Sequence, residues 1–147
     1  MDEFQCIEKF FKRNGCPVNP LLSNRFFVGV GDDASVFKLD ENFPLVVTTD
    51  MLVEGVHFSS EIDPFSLGKR VLAVNLSDLA AMGACPLGFT LGLGLNAFNP
   101  SWLHAFSRGL FEVSRNYKCE LLGGDTIKHK SSCNFFSVTA LGYTEGE

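Results

Sequence analysis

The sequence predicts an α/β chain built on a mixed β-sheet. Apolar stripes at helical spacing alternate with short apolar or loosely alternating runs that read as strands. Glycine, proline, aspartate and asparagine stand at the boundaries between them. The resulting order is helix, two strands, helix, strand, helix, two strands.

The first helix is Glu3 to Lys12, with Phe4, Ile7, Phe10 and Phe11 on one stripe and a stop at Asn14-Gly15. Pro17 and Pro20 make the next segment a loop. Arg25 to Gly31 is a short apolar piece ending in Gly29-Val30-Gly31. A lone Gly-x-Gly reads as a turn and only weakly as a phosphate cradle. Asp32 and Asp33 follow; neighbours in a strand point to opposite faces, so at most one of these carboxylates is expected at a common site. Ala34 to Leu39 is expected as a strand and Asp40-Glu41-Asn42 as a turn. The next strand runs from Leu45 to Asp50, with Pro44 to Val47 as a buried apolar run. Asp63 and Pro64 then mark an N-cap and a first helical position. Pro64 to Ala84 reads as a long helix or a broken pair, interrupted by Asn75, Ser77 and Asp78. Gly83, Cys85-Pro86 and Gly88 are expected to end it. Phe89 to Leu95 is a strand in which Gly92 and Gly94 permit close backbone approach. Asn99-Pro100-Ser101 opens a third helix with Trp102, Leu103, Phe106, Leu110, Phe111 and Val113 inside, ending at Tyr117-Lys118. Cys119 to Leu122 is a short buried strand that delivers Gly123-Gly124-Asp125-Thr126, and Phe135 to Tyr143 is the final strand. His104 and His129 are expected in solvent.

The chain has 147 residues, so one domain is expected, and at 46% hydrophobic it can build a core. Fifteen phenylalanines belong mostly to that core. A net charge of −5 with scattered Lys and Arg argues against a nucleic-acid surface. No apolar run reaches the ~18 residues of a membrane helix, and the acidic, amphipathic N-terminus does not resemble a signal peptide. The five cysteines, Cys6, Cys16, Cys85, Cys119 and Cys133, include no Cys-x-x-Cys pair. Their odd number and wide spacing point to reduced thiols and a cytoplasmic location, not to zinc or disulfides.

The chemistry centres on Thr48 to Phe58, TTDMLVEGVHF. Two hydroxyls and a carboxylate follow directly on an apolar strand, a place where open α/β sheets receive ligands. Glu54, Gly55 and His57 come next, on a loop or short extended segment. Three further stretches carry Asp beside glycine or hydroxyl neighbours: Gly31 to Ala34, Asn75 to Asp78 and Gly123 to Thr126. Mg²⁺ takes oxygen ligands and keeps several waters, so separate carboxylates around a polyphosphate suit phosphoryl transfer. Two glycines before Asp125 let backbone approach a phosphate. There is no Walker-A lysine and no kinase His-Arg-Asp loop. From the residues alone, Asp78 reads equally as a metal ligand or an exposed cap, and His57 as an ordinary core or turn histidine.

GDDASV, VVTTDMLVEGVHF, LAVNLSDLAAMGACP and LLGGDT, in this order and spacing, resemble the thiamine-monophosphate kinase family. That family is related to aminoimidazole-ribotide synthetase, selenophosphate synthetase and the hydrogenase-maturation dehydratase. The similarity runs from about Gly29 to the end. It implies the N-terminal-domain fold of aminoimidazole-ribotide synthetase: a mixed sheet with helices on one face, two sheets pairing into a barrel in a homodimer. It also implies ATP-dependent phosphorylation of thiamine monophosphate to thiamine diphosphate by direct transfer. On that resemblance Asp33, Thr49, Asp50, Asp78 and Asp125 become Mg²⁺ ligands, and Thr48, Thr49, Gly124 and Asp125 nucleotide contacts. His57 becomes a contact for thiamine monophosphate. Residues 1–147 are then a single ATP- and Mg²⁺-binding N-terminal domain without the family's second domain, and little turnover is expected. The residues after Asp125-Thr126, Ile127-Lys128-His129, depart from the family's Thr-Arg-Gly, as does the stretch around Gly92. The alternatives are a synthetase of the same superfamily and a nonenzymatic dimerisation or ligand-binding module.

Overall fold

The computed structural model describes residues 1–12, 19–22, 26–38 and 42–144. The expectations placed on Asn14-Gly15, Cys16, Pro17, Arg25, Leu39 and Asp40-Glu41 lie outside these residues.

The N-terminal helix α1, Glu3–Cys6, opens with a capping box: the Asp2 carboxylate accepts from the Gln5 amide, and the Gln5 side chain accepts from the Asp2 amide. The chain continues as a π-helical stretch, Ile7–Phe11, that turns Phe10 and Phe11 into the core. Phe4, expected on the inner stripe, is 80% exposed. Short strands β1, Phe26–Val28, and β2, Val36–Phe37, pair antiparallel as a separate small sheet.

The main sheet is formed by β3 (Leu45–Val53), β4 (Cys85–Leu95), β5 (Glu120–Lys128) and β6 (Phe135–Tyr143), in the order β3-β6-β4-β5. β6 is antiparallel to both β3 and β4, while β4 and β5 are parallel. The sheet is therefore mixed, as the sequence predicts. The parallel pair is joined through α3, Pro100–Asn116, and β3 connects to β4 through α2, Pro64–Ala81. Both helices have the predicted caps. Asp63 accepts from the Ser66 amide at 2.8 Å, and Asn99 accepts from the amides of Ser101 and Trp102.

The helices pack on one face of the sheet. That face receives Val46, Leu52, Phe89, Leu91, Leu93, Phe136, Val138 and Ala140, which form one core with Leu67, Val71, Leu72 and Leu79 of α2 and Leu103, Phe106 and Leu110 of α3. Trp102, Phe106 and Phe136 stack at its centre, with ring centroids 5.0 and 5.1 Å apart in sequence. The helices touch backbone to backbone, because glycines Gly68 and Gly109 occupy the crossing. The other face is only partly covered. Leu22, Leu87 and Leu122 form a small cluster there with Phe37, Leu141 and Tyr143.

Several expected boundaries move. The run Leu45 to Val47 is a strand but not a buried one: every second residue of β3 faces the uncovered side of the sheet, leaving Val47 56% and Met51 57% exposed. α2 is continuous and ends at Ala81; Ala84 lies outside it. Cys85-Pro86 starts β4 instead of closing a helix. Pro86 pairs with Gly142 before β5 joins at Gly88, an end position where the missing N–H is tolerated. Gly123 to Thr126 lie within β5, not after it.

Candidate functional site

Alternation along β3 sends Thr48, Asp50 and Leu52 toward the helical face and Thr49 and Met51 to the other. Thr48 Oγ1 donates to Asp78 Oδ2 at 3.1 Å. That bond ties the C-terminal part of α2 to the edge strand and settles the position of Asp78: it is exposed, but it faces the β3 hydroxyl and caps nothing. Asp50 is half-buried two residues along the same strand face. The seam between β3 and α2 thus carries two carboxylates and a hydroxyl, all hard oxygen donors suited to Mg²⁺. Thr49 shares a 2.8 Å hydrogen bond with Thr139 on the opposite face.

Asp33 and Asp125 lie elsewhere. Both line a cavity of about 970 Å³ at the β5 edge, within the size range of small-molecule sites. Asp32, Gly123, Gly124 and Thr126 line it too, together with Glu8 and Lys9 and the apolar side chains of Phe4, Ile7, Phe11, Leu91, Leu93 and Leu121. Asp32 and Asp33 both reach it because they sit in a turn after Gly31 (φ 110°), ahead of β2, where strand alternation does not apply. Asp32 Oδ1 accepts from the Asp33 amide at 2.8 Å. The Ser35 hydroxyl donates to the Leu122 carbonyl and pins this turn to β5. Gly124 permits the wall its shape: a Cβ there would stand 1.9 Å from the Leu91 carbonyl oxygen.

His57 lies in the turn after β3, with Gly55 at φ 81°. Its Nδ1 accepts the Val53 amide at 3.0 Å, so the neutral ring carries its proton on Nε2, and the residue is exposed. Beside it Glu54 is committed to structure. Its carboxylate accepts from the Asn134 amide at 3.0 Å, and its own amide donates to the Asn134 carbonyl. His104 is exposed as expected, but His129 is half-buried and stacks on Phe135, with its Nε2 sealed from solvent.

Four of the five predicted ligands therefore form two groups, at the two edges of one sheet, and Thr49, turned to the opposite face by strand alternation, joins neither. Three strand spacings, about 14 Å, separate β3 from β5. No group of three or more His, Cys, Asp or Glu gathers among the described residues. Mg²⁺ needs only one or two carboxylates, so each group has the oxygen-donor chemistry such an ion takes. Two ties at the candidate site escaped the sequence reading, the Thr48–Asp78 bond and the Ser35 clamp, and neither has a local signature. Asn19, 4% exposed, makes a structural tie of the same kind by donating to the carbonyls of Pro86 and Lys118. The buried thiols are chemically quiet: burial pushes Cys6 up to about 11 and Cys119 up to about 12.

Residues 31–144 match the family described as AIR synthase related protein, N-terminal domain. The chain belongs to that family. Its curated relatives are thiamine-monophosphate kinases: that of Buchnera aphidicola from Acyrthosiphon pisum is 45% identical over 125 residues, 84% of this chain and 37% of the relative. The Escherichia coli K12 enzyme is 43% identical over 128 residues, covering 86% and 37%. This AIR synthase related domain thus spans about two fifths of the length of these relatives. Among solved structures, thiamine-monophosphate kinase from Stenotrophomonas maltophilia superposes with a TM-score of 0.76 at 43% identity, covering 84% of this chain and 38% of the other. A structure described as AaThiL complexed with AMPPCP and TMP gives 0.67 at 34% identity, covering 79% and 37%. Hydrogenase maturation protein HypE in complex with ATP, at 22% identity and a TM-score of 0.68 over 95% of this chain and 39% of the other, shares the fold.

Proposed function

We propose that this chain is the nucleotide- and metal-binding N-terminal part of an ATP-dependent kinase that converts thiamine monophosphate to thiamine diphosphate. One observation carries the reading: a single cavity is lined by the carboxylates of Asp32, Asp33 and Asp125, by the side-chain-free backbone of Gly123 and Gly124, and by apolar side chains. A nucleoside triphosphate calls for the same mixture of surfaces. Relatives at 37–45% identity carry the kinase name, and one related structure was solved with AMPPCP and TMP.

Asp33 and Asp125 hold cationic charge in the cavity, and Gly123 and Gly124 bring β5 backbone close to phosphate. Asp50 and Asp78 form the second cation-binding pair, with Thr48 orienting Asp78; Thr49, paired with Thr139 on the opposite face of the sheet, takes no part in it. When bound, Mg²⁺ supplies charge neutralisation for the phosphate oxygens. His57, with Nε2–H outward, donates to the thiamine monophosphate. No protein nucleophile is required: the acceptor phosphate oxygen attacks the γ-phosphorus, and ADP leaves. The exposed apolar side chains of Val47 and Met51 support a homodimer in which the uncovered sheet face packs against a second copy. No helix among the described residues is long and apolar enough to cross a membrane, and the free thiols suit the cytoplasm.

Calorimetry with a nonhydrolysable ATP analogue, with and without Mg²⁺, tests the reading on this chain. The expected result is binding that requires Mg²⁺ and is lost in Asp33→Ala and Asp125→Ala. Absence of Mg²⁺-dependent binding, or its survival in both variants, favours a nonenzymatic module and overturns the proposal. In the longer protein, turnover of thiamine monophosphate in preference to synthetase substrates is the matching result.

A further inference from the structure

Asn75 is fully buried, at 0% exposure, near the middle of the face that α2 turns to the core. Its Nδ2 donates to the Val71 carbonyl at a long 3.3 Å, and its Oδ1 has no hydrogen-bond partner among the described residues. A flipped amide does not repair this, because the Val71 carbonyl accepts only from the NH₂ side. A leucine of nearly the same shape would fit an apolar surrounding without the penalty of an unpaired buried oxygen. A residue that weakens the fold in this way calls for a reason outside packing.

Its place in the fold suggests one. The chain leaves β3 at Val53 and enters α2 at Pro64, and Asp78, near the helix end, reaches back to Thr48. α2 therefore runs back along β3. Asn75 lies three residues before Asp78, about 4.5 Å along the helix. Asp50 lies two residues after Thr48, about 6.6 Å along the strand. Asn75 thus comes level with Asp50 as Asp78 does with Thr48.

We infer that Asn75 is a positioning residue for the Asp50–Asp78 pair, its orphan amide oxygen accepting a hydrogen bond from a water held in the α2–β3 seam. The inference rests on the metal-binding reading of that pair. Mg²⁺ keeps several waters, so a neutral acceptor behind the carboxylates orders the hydrated ion without adding charge.

The test measures, for wild type and Asn75→Leu, the urea midpoint and the Mg²⁺ concentration that half-saturates binding of a nonhydrolysable ATP analogue. The expected result is an equal or higher urea midpoint together with a Mg²⁺ requirement raised about tenfold, the size of one hydrogen bond to an ion-bound group. The pair Asn75→Ser and Asn75→Ala, which differ by one acceptor oxygen, gives a second reading if the leucine variant does not fold. Serine is expected to keep a lower Mg²⁺ requirement than alanine. An unchanged Mg²⁺ requirement in Asn75→Leu, or identical requirements in the serine and alanine variants, overturns the inference and leaves the nucleotide reading standing. Wild type that binds the analogue without regard to Mg²⁺ removes both.

Discussion

The contact between α2 and α3 rests on two glycines, and Gly68→Ala is the sharpest way to disturb it. A Cβ on Gly68 would stand 2.1 Å from the Phe106 carbonyl oxygen and 2.9 Å from the Leu110 nitrogen. Reciprocally, a Cβ on Gly109 would stand 2.0 Å from the Phe65 carbonyl oxygen. Carbon–oxygen contacts settle near 3.3 Å, so either alanine forces the helices apart by about 1 Å. Overpacking of this kind costs about 1–3 kcal/mol, and the better helix propensity of alanine returns up to about 1 kcal/mol. The net expectation is a loss of about 1–2 kcal/mol, or a fall in Tm of about 3–8 °C for a chain of this size. One separation relieves both clashes, so Gly68→Ala/Gly109→Ala should fall short of the summed losses by about 1 kcal/mol. Urea denaturation followed by the fluorescence of Trp102, the sole tryptophan, reads this directly, since its ring stacks on Phe106. Single variants indistinguishable from wild type, or a strictly additive double variant, would refute the reasoning.

Asp78→Asn keeps a group able to accept from Thr48 but removes the charge. Mg²⁺-dependent binding of the ATP analogue should weaken at least about tenfold in calorimetry, with little change in Tm because the pair is exposed. Gly124→Ala should lower both Tm and analogue binding, since its methyl would meet the Leu91 carbonyl; unchanged binding would take Gly124 out of the site. The thiols of Cys6 and Cys119 are protonated more tightly in the folded chain than in the unfolded one. Their contribution to stability is complete below the unfolded value near 9 and is lost as pH rises through about 11 and about 12. Urea midpoints should therefore fall with pH in that window, and less steeply in Cys119→Ala than in wild type. Asp63, held below the usual carboxylate range by its hydrogen bonds to Ser66, caps α2. The Tm difference between wild type and Asp63→Ala should be present at neutral pH and shrink as acid protonates the carboxylate.

Much of this fold is readable from local chemistry. Asp63-Pro64 and Asn99-Pro100 announce their helices because caps and first-turn prolines act on adjacent residues. Phe135 to Tyr143 announces a strand because every second side chain meets the same core. Gly123-Gly124 misleads for the converse reason. Glycine argues against a strand by its own propensity, yet the carbonyl of Leu91, distant in sequence, leaves no room for anything else. Pro86 misleads likewise, since whether a neighbouring strand has yet joined is not a local property. In the candidate site, residue types were legible and grouping was not. Asp33 and Asp125 lining one cavity, and Thr48 bonded to Asp78, are associations made by tertiary packing of a turn and a helix against the sheet, and no spacing in the chain encodes that packing.

The order β3-β6-β4-β5 also constrains how the molecule comes into being. β6 is the latest of the described strands in the chain, yet it lies between the two earliest of the sheet, with Thr49 beside Thr139 and Thr139 beside Thr90. A chain emerging vectorially from the ribosome therefore cannot zip β3 onto β4 and add the rest. It must keep a slot one strand wide until about ninety more residues have followed Thr49, bridging a long loop-closure distance before the ladder forms. Until then β3 and β4 each keep an unpaired edge, the kind of surface on which wrong pairing and aggregation begin.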